Sequence, residues 1–395
     1  MTIVFFCPNI LRDAHKSIFQ LERLKKEGYK FILLDATKYY GNESTATEKI
    51  ILENKVECNS KNDFVAFKNQ LPKETVLYVT FDFYMRSAAP ILQILIRRND
   101  KLLSYHTKRF SAVHLSQNKF RILIDKIIKK TDKFLPLHLL KNFYKLKNKV
   151  FIPDYYLCST NFVVPSKVYF TIKRENRIIV HADDINQTLS ENKSSIFKNE
   201  NKKIGVFLDQ AIPYQDRLHP LLIPEPISDE YKISYYKSVE KILAILKNKF
   251  ALDEVVIALH PDAIKLKEEL SNKFKGFRTF YGETHELIKN SAMVFGHSST
   301  AIGYAIYYKK AVILLKDDYL FENFPLIQKF LMFFHENLDM KILDVESPKE
   351  LQLSEVQINE KKYNEYIKKY LKDNRINEHS YYYSFKRIEK DLKKR

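Results

Sequence analysis

Short apolar segments alternate with helical patterns along most of this 395-residue chain. Buried strands separated by helices are typical of βαβ units, which build a mainly parallel sheet. The first half predicts four such strands: Ile3–Phe6, Phe31–Leu34, Val76–Thr80 and Leu102–Tyr105. The second half predicts five more: Ile204–Leu208, Val255–Leu259, Arg278–Tyr281, Met293–Phe295 and Val312–Leu315. The alternation therefore predicts an α/β protein with two parallel-sheet halves.

A polar segment separates the two halves. Residues 183–203 are rich in Asn, Ser and Lys and contain only scattered apolar side chains, which is typical of a linker. We therefore predict an N-terminal domain over 1–182 and a C-terminal domain over 204–355. Aromatic residues recur at helical spacing in residues 356–395, which predicts terminal helices that cross back to the first domain.

Composition limits the classes of protein to which the chain can belong. Apolar residues make up 45% and charged residues 29%, which indicates a folded globular protein. With only 7 glycines, the chain contains neither a GxGxxG nor a Walker A phosphate loop. Cys7, Cys58 and Cys158 are far apart and odd in number, which predicts buried thiols rather than a disulfide framework or a metal site.

The sequence also predicts where the protein works. No apolar run approaches 18 residues, and the first residues lack the basic region of a signal peptide. We therefore expect a cytoplasmic protein that can associate with the inner face of the cytoplasmic membrane only peripherally.

The chain is strongly basic, since Lys and Arg total 66 against 48 Asp and Glu, a net charge of +18. This charge favours anionic partners such as nucleic acid, an acidic membrane face or phosphorylated substrates. Residues 119–149 are the most basic stretch, with ten Lys or Arg and two acids interleaved with apolar side chains. They either lie on an anionic bilayer or form helices packed on the core with their lysines in water. Since no standard nucleic-acid motif occurs, we expect no nucleic-acid partner.

A histidine follows one of the strands of the second domain. His260 and Pro261 come directly after Leu259. In an open parallel sheet the carboxyl ends of the strands form the ligand crevice. A histidine there either donates to a phosphate and protonates a leaving group near neutral pH, or serves as a satisfied structural residue.

Two further polar groups follow neighbouring strands. Ser298, Ser299 and Thr300 open a predicted helix, where hydroxyls and unpaired amides can hold an anion or simply cap the helix. Glu283 and Glu286 follow the strand before it and either accept hydrogen bonds from a ribose diol or form a capping box. The sequence thus predicts three groups compatible with a nucleotide at adjacent strand ends.

These motifs resemble those of the bacterial CMP-dependent nonulosonate transferases, which include sialyl-, polysialyl-, pseudaminic and legionaminic acid transferases. The family shares an HP motif and a later SS or ST motif, and here Ser298 lies 38 residues after His260. The resemblance covers residues 204–316. It implies a GT-B fold, with two Rossmann-like α/β domains facing a central cleft. It also implies metal-independent, inverting transfer of a nonulosonic acid in capsule or lipopolysaccharide synthesis.

The resemblance also implies roles for individual residues. His260 contacts the CMP phosphate and acts as general acid, Ser298 and Ser299 hold that phosphate, and Glu283 or Glu286 binds the ribose. The CMP-sugar is a substrate, so no cofactor is expected, and no DxD sequence is present to hold a metal. The acceptor is a glycan, and a lipid-linked acceptor would fit the basic stretch.

The general base is less well defined, because the chain lacks the family's acidic triplet ending in glycine. A base is required because the acceptor hydroxyl must lose its proton on the face opposite the departing phosphate. Asp209 and Asp82, each at the end of a predicted strand, are candidate catalytic residues. Asp13 and Asp216 are further candidates. Each of the four could instead be a turn or cap residue.

Two alternatives remain open from the sequence. Another GT-B transferase, which uses CMP-Kdo or a UDP-sugar, would have a similar phosphate site, and nucleotide selectivity would distinguish it. A basic nucleic-acid-binding protein would also account for the charge. Salt-dependent binding of unrelated oligonucleotides, without stabilisation by CMP, would favour that second class.

Overall fold

The fold is that of a computed structural model, which describes residues 1–8, 19–41, 54–81, 85–106, 152–158, 172–189, 202–214, 227–260, 266–346 and 356–394. The chain divides into a first unit of Met1–Ser190 with Lys369–Arg395 and a second unit of Glu191–Lys368. The change from one unit to the other falls within the segment predicted as a linker. The first residues of that segment, Asp183–Thr188, form a helix of the first unit.

Thirteen strands and twelve α-helices lie in the described ranges. The strands are β1 (Thr2–Cys7), β2 (Lys30–Asp35), β3 (Lys55–Glu57), β4 (Val76–Phe81), β5 (Lys101–His106), β6 (Tyr155–Cys158), β7 (Arg177–Ile179), β8 (Ile204–Leu208), β9 (Glu254–Leu259), β10 (Arg278–Tyr281), β11 (Met293–Gly296), β12 (Ala311–Lys316) and β13 (Lys341–Asp344). The helices are α1 (Leu21–Lys26), α2 (Lys61–Gln70), α3 (Met85–Leu95), α4 (Asp183–Thr188), α5 (Asp229–Lys249), α6 (Lys267–Lys273), α7 (Thr284–Asn290), α8 (Ile302–Tyr307), α9 (Asp318–Asn323), α10 (Pro325–Leu338), α11 (Glu360–Tyr366) and α12 (Ser380–Lys393).

Each unit is built on one parallel sheet. The first sheet has the strand order β3-β2-β1-β4-β5-β6-β7, and the second has the order β10-β9-β8-β11-β12-β13. Both orders run outward in two directions from their first strand, which is the doubly wound arrangement of Rossmann-type folds. Every residue of β1 and of β8 is buried. Strands buried on both faces are apolar throughout, as the sequence predicts for these segments.

The C-terminal helix α12 belongs to the core of the first unit. Tyr381, Phe385 and Ile388 of this helix are buried in the same apolar cluster as Phe5 and Phe19. The ring centroids of Phe19 and Tyr381 are 5.4 Å apart. The last helix therefore returns to the first sheet, as predicted, whereas α11 belongs to the second unit.

The cysteines are buried free thiols, as the sequence predicts. Burial raises the pKa of the Cys58 thiol to about 12 and that of Cys7 well above its ordinary value. Among the helices described, none is both long and apolar enough to span a bilayer. The basic stretch 119–149 lies outside the described residues, so its membrane contact stays a prediction.

Candidate active site at the carboxyl edge of the second sheet

The residues singled out in the second half of the sequence lie at the ends of neighbouring strands. β10, β9, β8 and β11 are consecutive in the second sheet. Asp209 directly follows β8 and His260 directly follows β9, while Glu283 and Ser298 each come two residues after their strands, β10 and β11. Because these strands are parallel, all four residues leave the sheet at the same edge. The fold thus brings together groups that are far apart in sequence.

His260 is half-buried at this edge. It is the first residue after β9, whose last five residues are buried. A partly exposed imidazole on a rigid strand end can reach both a ligand and the solvent. The neighbouring Pro261 lies outside the described residues, as do Asp13, Asp82 and Asp216.

Asp209 is an interior carboxyl, with 3% of the residue exposed. Its Oδ1 accepts a hydrogen bond from the amide of Ala211 at 3.0 Å. Its Oδ2 is buried and has no partner among the described residues. Burial raises the pKa of Asp209 to about 7, because that one hydrogen bond does not offset the loss of hydration. The carboxyl therefore takes up a proton at a pH well above the ordinary aspartate range.

The serine motif forms a turn between β11 and α8. The amide of Ser298 donates to Oε1 of Gln210 at 2.9 Å, and Oγ of Ser299 accepts from the amide of Ala301 at 3.2 Å. Ser299 thus holds the turn that precedes α8, whose N-cap residue is Ala301. In the described part of the chain the hydroxyls of Ser298 and Thr300 make no hydrogen bond, so they remain available to a ligand.

His297 is a second histidine of this edge, which sequence reasoning missed. Its Nδ1 lies 2.6 Å from the carbonyl oxygen of Leu315, and its Nε2 lies 2.8 Å from the hydroxyl of Tyr235. Because a carbonyl only accepts, Nδ1 carries the proton and the Tyr235 hydroxyl donates to Nε2. Burial lowers the pKa of His297, so the ring is neutral. It is a structural anchor of the serine turn.

Asp317 and Asp318, adjacent acids at the end of β12, have structural partners. Oδ1 of Asp317 accepts from the amide of Leu320 at 2.9 Å, which caps α9, and from the hydroxyl of Tyr231 at 2.8 Å. Asp318 forms an ion pair with Lys316. Within the described ranges no group of three or more His, Cys, Asp or Glu side chains is placed to hold a metal ion.

The two glutamates after β10 differ in their surroundings. Glu286 is 8% exposed, with Oε1 at 3.8 Å from Nζ of Lys289 and at 3.4 Å from Nδ1 of His285, whose pKa burial lowers. Glu283 is half-buried at the start of α7, where its side chain does not cap the helix. Among the described residues its carboxylate has no hydrogen-bond or ion-pair partner. Glu283 is therefore the better placed of the two to bind a ligand.

No protein family matches the chain, and no curated protein sequence matches it. Solved structures match it in fold. A histidine-to-alanine variant of the wall teichoic acid polymerase TagF is 15% identical over all of this chain and 89% of that one, with a TM-score of 0.53. A histidine-to-asparagine variant of the same polymerase with CDPG has the same identity and coverage and a TM-score of 0.51. UDP-GlcNAc 2-epimerase from Methanocaldococcus jannaschii, with UDP-GlcNAc and UDP, is 13% identical over the whole of both chains, with a TM-score of 0.45.

The similarity to the polymerase is a similarity of fold. Together with the two doubly wound parallel sheets, it shows that the chain has a fold of the GT-B type. The expectation of two Rossmann-like α/β units is confirmed.

Proposed function

We propose that the chain is an inverting glycosyltransferase that moves a nonulosonic acid of the sialic, pseudaminic or legionaminic type from its CMP donor to an acceptor sugar. The observation that carries this proposal is the row of His260, Glu283 and Ser298–Thr300 at the carboxyl edge of the second sheet. This edge is where doubly wound sheets bind nucleotides. The GT-B type fold supports a transfer reaction, and the spacing of the two motifs favours the CMP-nonulosonate class.

The residues of the row divide the chemistry between them. The hydroxyls of Ser298 and Thr300 bind the CMP phosphate, and Glu283 accepts hydrogen bonds from the ribose. The glycosidic bond to the phosphate breaks through an oxocarbenium-like state, in which negative charge grows on the phosphate oxygens. His260 donates a proton or hydrogen bond to that phosphate as it departs.

Asp209 and Asp82 remain the alternatives for the general base that removes the acceptor's proton. A pKa of about 7 suits Asp209 for such a role at neutral pH. Its burial opposes direct contact with an acceptor, however, since only 3% of the residue is exposed. This burial favours Asp82. Asp209→Asn and Asp82→Asn, compared under saturating donor, identify the base as the variant that loses turnover and keeps CMP affinity.

The first experiment is thermal unfolding of the full chain with CMP, UDP, GDP and ADP in parallel. A ligand that binds only the native state raises stability by RT ln(1 + [L]/Kd), which is about 2.7 kcal/mol at a hundredfold excess over Kd. We expect a selective increase of Tm with CMP. A selective response to UDP would indicate a GT-B transferase that uses a UDP-sugar as donor in place of a CMP-nonulosonate. No response to any of the four would contradict the proposal and favour the nucleic-acid-binding alternative.

The role of His260 is tested by His260→Ala. Loss of a positioned general acid lowers turnover by about 10²–10⁴-fold, and we expect this loss with little change of Tm. The matched control is His335→Ala on α10, since Nδ1 of His335 lies 2.8 Å from the carbonyl oxygen of Met340 and no role in the transfer is proposed for this residue. Unchanged turnover in His260→Ala would remove the acid role.

We also propose that the acceptor is lipid-linked and that residues 119–149 bind the anionic inner face of the cytoplasmic membrane. The charge and amphipathic pattern of this stretch support the proposal. Cosedimentation with vesicles should increase with the fraction of anionic lipid. Binding that does not respond to anionic lipid would contradict the proposed membrane contact.

A further inference from the structure

The turn after β8 is built around the side chain of Asp209. Oδ1 accepts from the amide of Ala211 at 3.0 Å, and Ala211 has a φ of 47°, in the left-handed region. This conformation costs an alanine on the order of 1 kcal/mol. It persists because Ala211 is fully buried and is followed by a buried 3-10 turn, Ile212–Tyr214. Gln210 lies between Asp209 and Ala211. The backbone from which its side chain extends is therefore rigid.

Gln210 connects this turn to the end of β11. Leu208 of β8 and Gly296 of β11 are register partners, so Gln210 and Ser298 lie at the same level, two residues beyond them. Oε1 of Gln210 accepts from the amide of Ser298 at 2.9 Å. An unpaired amide at this mostly buried position would cost about 1–3 kcal/mol. The side chain thus continues the hydrogen bonding of the two strands past the end of the sheet.

The other side of Ser298 is held through its neighbour. His297 contacts the carbonyl of Leu315 at the end of β12 and the hydroxyl of Tyr235 on α5. The turn is thereby fixed from both directions along the sheet edge. Among the described residues, the side-chain hydrogen bonds of this turn use the Ser298 amide and the Ser299 hydroxyl, and the hydroxyls of Ser298 and Thr300 make none.

We propose that Gln210 is a positioning residue, which holds the backbone at Ser298 so that the Ser298 and Thr300 hydroxyls meet the donor phosphate as a preformed pair. This inference rests on the proposed function for the identity of the ligand. In this role Gln210 does not contact the donor, because it acts on the site only by accepting the hydrogen bond from the Ser298 amide. Preorganised donors bind more tightly, because no ordering has to accompany binding.

The test compares two substitutions of Gln210 with a matched control. Gln210→Met keeps the size of the side chain and removes the accepting oxygen, whereas Gln210→Glu keeps an oxygen at that position. The control is Asp253→Ala. Oδ2 of Asp253 accepts a hydrogen bond from the amide of Lys203 at 2.6 Å, just before the start of β8. The control therefore removes the same kind of bond at the amino ends of the strands, away from the candidate site.

The first measurement is the Kd of CMP by calorimetry on the full chain. We expect Gln210→Met to raise this Kd roughly tenfold, the equivalent of one lost hydrogen bond. Gln210→Glu should recover part of the affinity, because its oxygen holds the amide while its charge opposes the phosphate. Asp253→Ala should leave Kd unchanged. A Gln210→Met variant that binds CMP like the unaltered protein would overturn the inference.

The second measurement is hydrogen exchange of the segment 297–303 in the unliganded protein. Gln210→Met should exchange faster than the unaltered protein in this segment, and Gln210→Glu should exchange at the original rate. Equal exchange in all three would overturn the positioning role whatever the ligand is. Failure of the unaltered protein to bind CMP would instead contradict the proposed function, and the exchange result would still decide the role of Gln210.

Discussion

Asp209 is a residue whose protonation differs between the folded and the unfolded chain. Its pKa is about 7 in the fold, against 3.8 for an ordinary aspartate. Between these values the folded chain binds the proton and the unfolded chain does not, so stability is lost as the pH rises from 4 to 7. The loss is at most about 1.4 kcal/mol per pH unit. We therefore expect Asp209→Asn to unfold at a higher urea concentration than the unaltered protein at pH 8. At pH 4 the two proteins should unfold at the same urea concentration.

The matched control for that prediction is Asp339→Asn. Hydrogen bonds from Lys362 and Asn359 lower the pKa of Asp339, so its contribution to stability has the opposite sign. It is present at neutral pH and is lost as the solution is acidified below the ordinary aspartate range. Asp339→Asn should thus lower the urea midpoint at pH 8. A lower midpoint for Asp209→Asn at pH 8 as well would show that its carboxyl is ionised at no cost in the fold.

The site residues that the sequence identifies are those with a local signature. His260 directly follows the apolar run of a strand and Ser298–Thr300 follow another after one intervening residue, and this pattern is visible without a structure. Gln210 and His297 have no such signature. Gln210 acts on an amide 88 residues away, and His297 on a carbonyl 18 residues away. Such roles follow from strand order, which one sequence does not contain.

At the scale of the element, the central strands are predictable and the short ones are not. All nine predicted strands occur, because buried parallel strands are continuous apolar runs. The sequence does not predict four strands, β3, β6, β7 and β13, which have only three or four residues each. Three of these, β3, β7 and β13, are edge strands of their sheets. The start of α7 at Thr284 has no apolar signal in the sequence, because the first turn of this helix is polar and partly exposed.

The packing of β8 is tested at Gly205, which has no room for a side chain. A Cβ there would lie 2.8 Å from Cδ1 of Leu252 and 2.8 Å from Cε2 of Phe295, both buried. Overpacking of a core typically costs about 1–3 kcal/mol. We expect Gly205→Ala to lower the free energy of unfolding by that amount in urea. Gly276→Ala is the control, since nothing lies within 4 Å of its Cβ position, and equal stability of the two variants would contradict the close packing.

At the scale of the whole molecule, the buried ionisable groups are distributed unequally between the units. The first unit holds His181 and His379, whose pKa values burial lowers to about 4 and about 3. Nδ1 of His181 accepts from the amide of Asp373 at 3.1 Å, which requires the neutral ring. The second unit holds His285 and His297, whose pKa values burial also lowers, and Asp209, whose pKa is raised. The two units should therefore respond differently to acid.

Acidification from pH 7 to pH 5 should destabilise the first unit more than the second. Below pH 6.5 the unfolded histidines bind protons that the folded ones do not, so each buried histidine removes up to about 1.4 kcal/mol per pH unit. In the first unit His181 and His379 act together, whereas in the second unit Asp209 opposes His285 and His297. Pulsed hydrogen exchange along a urea gradient gives the midpoint of each unit at each pH.

His379→Phe, which removes one buried base, should flatten the acid response of the first unit and leave that of the second unchanged. Equal acid responses of both units in the unaltered protein would contradict the neutral state of the two histidines.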